Sequence, residues 1–191
     1  EYCTIRTRCG KAYTGTILSL SPAAHVFADS KSRERDADNM AVRIDEKVKN
    51  AEEVRALGIE TGDYICIDTK TTITPSGFLK SRFIDDKGSV ACLMTILKIM
   101  KDENLVPAYK TKFFISAYEE VGHGASYIPE DISELISVDM GCIGDDLNCT
   151  EYDVSICAKD SGGPYDYELT SRLIQLAKDN GLSYAVDIYP F

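Results

Sequence analysis

The sequence predicts an α/β protein: a largely parallel sheet flanked by helices over residues 73–191, preceded by a small β-rich domain over residues 1–72. Three observations carry that expectation. In the second part, short apolar runs are continuous rather than alternating, the pattern of strands covered on both faces, and they are interleaved with segments of helical period. In the first part, stretches rich in β-branched residues are separated by turn signals. Between the two, residues 71–77 contain Pro75 and Gly77 and read as a linker.

Taken in order, residues 4–8 and 14–20 are predicted as strands, with Gly10 and Lys11 turning the chain between them. Residues 33–38 are a charged excursion that reads as an exposed loop. A short helix is expected over 50–57, because Ala51, Val54 and Leu57 share one face and Gly58 is placed to end it. Gly62 and Asp63 then lead into a strand at 64–68. Beyond the linker, Val90, Leu93, Met94, Leu97 and Met100 have the spacing of an amphipathic helix over 89–101. Strands are expected at 112–117, 135–138, 154–157 and 184–189. A last helix over 167–178 sets Leu169, Leu173, Leu176 and Ala177 on one side, with Gly181 as its stop.

Composition narrows the partners. The 191 residues carry a formal net charge of −10, with 27% charged and 44% hydrophobic residues. Such a chain buries a core, and its acidity repels phosphate backbones, so no nucleic acid partner is expected. The most apolar stretch, 91–100, contains Thr95 and Lys98 and falls well short of a bilayer crossing, so no membrane association is expected either. The seven cysteines are an odd number, contain no C-x-x-C pair, and in part sit inside apolar runs, as Cys66 and Cys92 do. That usage suits a reducing compartment, the cytoplasm. The chain opens on Glu1 in strand-like sequence and closes directly after an apolar run, and reads as an internal piece of a longer protein.

Acids follow the apolar runs of the second part. Asp85 and Asp86 come after Phe83-Ile84, Glu119 and Glu120 after 113–118, Asp139 after 135–138, and Asp160 after 154–159. In open α/β sheets, ligands bind beyond the carboxyl ends of the strands, so this order gathers at least four carboxylates on one rim. Gathered carboxylates repel one another, and a divalent cation is the simplest way to neutralise them. Oxygen ligands alone suit magnesium, calcium or manganese, whereas zinc or cobalt calls for imidazole as well. Apart from Asp139, which directly follows the apolar run 135–138, these acids also have a plainer explanation. Asp85 and Asp86 could cap the helix that follows, Glu119-Glu120 could be a solvated turn, and Asp160 before Ser161-Gly162-Gly163 could be loop chemistry.

Three motifs resemble one family. Ser81-Arg82-Phe83-Ile84-Asp85-Asp86-Lys87-Gly88 is similar to the aspartate motif of the glutamyl (deblocking) aminopeptidases, dinuclear-metal peptidases that form tetrahedral assemblies. Glu119-Glu120-Val121-Gly122-His123-Gly124-Ala125 resembles their paired-glutamate motif, and Val138-Asp139-Met140 their third acidic motif, in the same order. Leu57-Gly58-Ile59 and Gly62-Asp63 fall as in the small β-rich domain that this family inserts into its catalytic domain, so the resemblance covers nearly the whole chain.

The resemblance implies a partial catalytic domain of a zinc-peptidase-like fold and a partial, oligomerisation-related insert. It implies two divalent metals, zinc or cobalt, with Asp85 shared by both, Glu120 on one and Asp139 on the other. Glu119 would be the general base, peptides the substrate, and a tetrahedral homododecamer the assembly. The family's two histidine ligands have no counterpart here: of the only histidines, His25 lies in the β-rich segment outside the motifs, and His123 falls at a variable position of the glutamate motif. Both ligands are therefore expected outside this chain, and the chain alone is expected to be inactive or nearly so.

Glu120 and His123 have the spacing of a di-iron carboxylate pair, but no second such pair follows. A Ser–His or Cys–His hydrolase lacks a motif-like nucleophile beside either histidine. A glycoside hydrolase could use Glu119 with Asp139 and needs no metal, although the chain has no Trp to line a sugar cleft. A non-catalytic assembly module built on the β-rich part is the remaining alternative.

Overall fold

Tyr2–Arg6 (β1) and Ala12–Ser19 (β2) form an antiparallel hairpin whose register sets Ile5 against Tyr13 and Cys3 against Gly15. The turn is built locally. Gly10 takes a left-handed φ of +87°, and the Thr7 hydroxyl accepts from the Lys11 N–H at 2.9 Å while donating to the Lys11 carbonyl. Strand alternation puts Cys3 and Ile5 on the buried face. Met40–Ile44 (β3) pairs with β2, an element the sequence reading does not place. Gly15 is required at that crossing, since a Cβ there would stand 2.8 Å from the Arg43 carbonyl oxygen.

The computed structural model describes residues 1–190. The helix expected over 50–57 is Ala51–Ala56 (α1), started by Asn50, whose side chain accepts from the Glu53 N–H at 2.9 Å. Glu53 returns the favour by accepting from the Lys49 N–H, and Gly58 follows at φ +89°. Tyr64–Ile67 (β4) adds to the free edge of β1, giving the sheet order β3-β2-β1-β4.

The expected linker is instead a small hairpin. Thr72–Ile73 (β5) pairs with Leu79–Lys80 (β6) around a turn in which the Thr74 hydroxyl accepts from the Phe78 N–H. Arg82 reaches back to the Glu1 carboxylate at 2.6 Å and to the Asp68 carbonyl. These ties keep residues 73–83 with the first compact unit, Glu1–Phe83, and a second begins at Ile84. The sequence reading puts the break at 72/73, because Pro75 and Gly77 signal a turn equally well whether it lies in a linker or in a hairpin.

The second unit opens with Ile84–Asp102 (α2), in which Asp85 and Asp86 have non-helical backbone, so that regular helix begins after them. Val154–Asp160 (β7) and Gly163–Pro164 (β8) form a short antiparallel hairpin. Tyr167–Asp179 (α3) is capped by Asp166, which accepts from the Leu169 N–H, and Tyr184–Ile188 (β9) returns parallel to β7. This β7-α3-β9 crossover is the α/β element of the chain, and Ile156, Ala177 and Ala185 form its buried centre.

The wider parallel sheet is not formed by the described residues. Segments 112–117 and 135–138 lie in no strand. Their apolar side chains are exposed, Phe114 at 52% and Leu135 at 56%. An apolar run encodes a demand for burial, but it becomes a strand only where its N–H and C=O groups find a neighbour. All seven cysteines are free. Among the described residues, no helix is long and apolar enough to cross a membrane.

Candidate metal centre

The first acidic segment stands at the start of α2. Asp86 caps the helix, its Oδ1 accepting from the Ser89 N–H at 3.0 Å, so one of the plainer explanations holds for this residue. Asp85 precedes it on an extended backbone, joined by a cis peptide bond. The helix turn that follows is narrow at Gly88: a Cβ there would meet the Met140 Cε at 3.1 Å. Met140 follows Asp139, so this contact lays the third acidic segment against the first turn of α2.

Glu119 and Glu120 occupy a single 3-10 turn, Glu119–Val121. Gly122 ends it in the left-handed region at φ +78°, and its N–H donates to the Glu119 carbonyl at 2.9 Å. Gly124 then passes so close that a Cβ would stand 2.9 Å from both the Glu119 Cα and the Ser116 Oγ. The Ser116 hydroxyl closes the loop on the Gly124 carbonyl at 3.2 Å. Two glycines of the motif, with Ser116 just before it, thus shape the paired-glutamate turn.

Asp85, Asp86 and Asp139 each offer a carboxylate oxygen, and these three atoms lie within 4.8 Å of one another. No other group of three or more potential metal ligands exists among the described residues. Asp139 also accepts from the Met140 N–H at 2.7 Å. The Glu120 carboxyl is held above its ordinary range, first by the negative charge of Asp85, then by desolvation, and further by Glu119, Asp139 and Asp86. Four neighbouring acids, Asp85, Glu119, Asp139 and Asp86, thus all push the Glu120 carboxyl in the same direction. The donor set is all oxygen, and mutual repulsion is what a bound divalent cation would relieve.

Of the expected ligands, Asp85 and Asp139 lie in the three-carboxylate group; Glu120 lies outside it, and Asp85 is the first cause of its raised carboxyl. Asp86 is the member that sequence reading left out, although its adjacency to Asp85 was the available signal. Asp160 stands apart in function. It accepts from the Tyr165 hydroxyl at 2.6 Å and from the Gly162 N–H, which keep its carboxyl low. Contrary to the expectation from the sequence, these acids do not share a rim of strand ends: only Asp160 ends a strand, while Asp85 and Asp86 stand at a helix start, Glu119 and Glu120 in a 3-10 turn and Asp139 in no helix or strand.

Comparison with known proteins agrees with the motifs. A sequence model described as M42 glutamyl aminopeptidase matches residues 1–191. YhfE of Bacillus subtilis (strain 168), which carries an aminopeptidase name, is 46% identical over 192 residues, covering 100% of this chain and 56% of YhfE. The chain thus spans little more than half the length of that curated relative. Among solved structures, a TET aminopeptidase from the marine sediment archaeon Thaumarchaeota archaeon SCGC AB-539-E09 superposes with a TM-score of 0.77 at 19% identity, covering 98% of this chain and 54% of the other. Aminopeptidase APDkam598 from Desulfurococcus kamchatkensis gives 0.67 at 18% identity, covering 98% and 53%. These two show a shared α/β fold. On the family match and the YhfE identity together, the chain belongs to the M42 glutamyl aminopeptidase family.

Proposed function

We propose that the complete protein is a metal-dependent aminopeptidase that removes N-terminal residues from peptides. The observation that carries this reading is the convergence of Asp85, Asp86 and Asp139 within 4.8 Å, with Glu120 pushed upward chiefly by Asp85, in a chain of this family. Asp85 is proposed as the ligand shared by two divalent cations, zinc or cobalt, with Glu120 on one and Asp139 on the other. Two histidines from outside this chain complete the set. The cations, when bound, would polarise the scissile carbonyl and offset the carboxylate charge. Asp86 holds the helix start through its cap on Ser89 and so fixes the backbone that carries Asp85.

Glu119 is proposed as the general base. Its carboxylate accepts a proton from the attacking water and returns it to the amide nitrogen as the C–N bond breaks. Consecutive glutamates suit this division, because neighbouring side chains diverge and one can face the cations while the other faces the peptide. Neither histidine belongs to the acidic group, and the 191-residue chain alone is proposed to be inactive or nearly so. Residues 1–72 are proposed to serve assembly, as a tetrahedral homododecamer in the cytoplasm. No observation favours the glycoside hydrolase.

Chelation tests the reading. Treating the intact protein with a chelator is expected to abolish release of N-terminal residues, and restoring zinc or cobalt to recover it. Hydrolysis that persists through chelation would overturn the proposal.

A further inference from the structure

The most deeply buried acid in the second unit belongs to none of the motifs. Asp187, in the middle of β9, is 0% exposed. Its Oδ1 accepts from the Asn148 N–H at 2.7 Å and its Oδ2 from the Ser155 hydroxyl at 2.6 Å. Burial opposes its charge, but the bonds from Ser155, Asn148 and Cys149 outweigh that and keep the carboxyl low. The Ser155 Oγ also lies 3.2 Å from the Tyr189 hydroxyl, which in turn accepts from the Cys142 N–H at 3.2 Å.

Proton accounting gives this chain a direction. Ser155 has one hydroxyl hydrogen, and the Asp187 carboxylate, an acceptor only, takes it. The Tyr189 hydroxyl must then donate to Ser155, which leaves its oxygen free to accept from Cys142 N–H. The order runs Cys142 N–H to Tyr189, Tyr189 to Ser155, Ser155 to Asp187. The same backbone residue is held on its other side, where the Cys149 thiol donates to the Cys142 carbonyl at 3.0 Å. Gly141 lies flat against this network, since a Cβ there would stand 3.0 Å from the Ser155 Cβ.

We infer that Asp187, Ser155 and Tyr189 form a positioning relay that fixes the 139–142 segment and thereby aims Asp139 at the cations. The inference rests on the reading of Asp139 as a metal ligand. The segment has no ladder to hold it, yet it is gripped at three successive places: Met140 on Gly88, Gly141 on Ser155, and Cys142 on Tyr189 and Cys149. Asp139 begins that gripped stretch. Partners that orient a ligand rather than touch the metal are worth about 10–100-fold in metal affinity.

The test uses the intact protein, stripped of metal and titrated with Co2+, reading affinity, the visible absorption band and the urea midpoint. Tyr189→Phe, which removes one oxygen, is expected to weaken Co2+ binding about tenfold or more and to shift the band. Ala177→Gly, in the buried face of α3, is expected to lower the urea midpoint while leaving affinity and band unchanged. Unaltered Co2+ binding in Tyr189→Phe overturns the relay, and so does equal weakening in Ala177→Gly, which would reduce the network to a support for folding. Should Tyr189→Phe fail to fold, Ser155→Ala carries the same expectation and the same refutation. Asp139→Asn separates the two layers. If it leaves Co2+ binding intact, the ligand reading falls and the relay with it; if it weakens binding while Tyr189→Phe does not, the relay alone is wrong.

Discussion

The sheet of the first unit and the acidic loops of the second are organised on different length scales. In residues 1–83, β1 meets β2 across a turn clamped by Thr7 and Lys11, β2 meets β3 with Gly15 at the crossing, and β5 meets β6 across Thr74–Gly77. Most of these contacts are made between consecutive strands. In the second unit, the segments that bear Asp85 and Asp139 lack ladders and are placed by contacts distant in sequence, such as Gly88 on Met140 and Cys142 on Tyr189, whereas the turn that bears Glu120 is closed by Ser116 and Gly124 beside it. The difference teaches that rigidity at the acidic group comes from a few tertiary grips on loops, and is correspondingly sensitive to single side chains.

The strongest test of that contrast is chemical. Glu119→Gln in the intact protein is expected to lower peptide hydrolysis by about 10²–10⁴-fold while metal content, read by elemental analysis, stays at the wild-type level. Retained turnover would remove Glu119 from the base role and leave its turn as a structural feature only.

Next in size is a matched pair of glycine substitutions. Gly15→Ala drives a Cβ to 2.8 Å from main-chain Arg43 O, and Gly124→Ala drives one to 2.9 Å from the Glu119 Cα. Each is expected to cost about 1–3 kcal/mol by urea denaturation. Only Gly124→Ala is expected to weaken Co2+ binding as well, because it distorts the turn that carries Glu120. Equal weakening by Gly15→Ala would erase the distinction between the two regions.

This contrast also explains what was legible in the sequence. The helix at 51–56 is announced by the shared face of Ala51, Val54 and Leu57 and by Gly58, and the β1–β2 hairpin by Gly10, since such spacings and turns act over a few residues. Asp85 and Asp139, which the structure brings together, are flagged in the sequence by motifs and not by strand ends, since 112–117 and 135–138 form no ladder. Asp86 was hidden by its own capping role, which is real and does not prevent it from standing with Asp85 and Asp139. The β5–β6 hairpin was read as a linker because Pro75 and Gly77 report a turn and say nothing of what flanks it. Asp187 gave no signal at all: its meaning comes from Ser155 and Asn148, which only tertiary structure brings to it.

The smallest expected effect concerns pH. Repulsion raises the Glu120 carboxyl in the folded protein, so the folded state binds that proton more tightly than the unfolded state. Stability is therefore lost as pH rises through the carboxylate range, and the penalty is absent below the unfolded value. Glu120→Gln in metal-free protein is expected to raise the melting temperature slightly near pH 7 and to leave it unchanged near pH 3, an exposed-group effect that added salt diminishes. A melting temperature that falls at neutral pH would mean that Glu120 is stabilised rather than repelled by its neighbours.

The role proposed for Asp85, Glu120 and Asp139 is to hold the cations. Crystals of the intact protein grown with zinc, measured at the zinc absorption edge, test it directly. Anomalous peaks about 2.0–2.2 Å from carboxylate oxygens of all three residues are the expected result. Zinc bound elsewhere, with these three side chains directed away from it, would contradict the account.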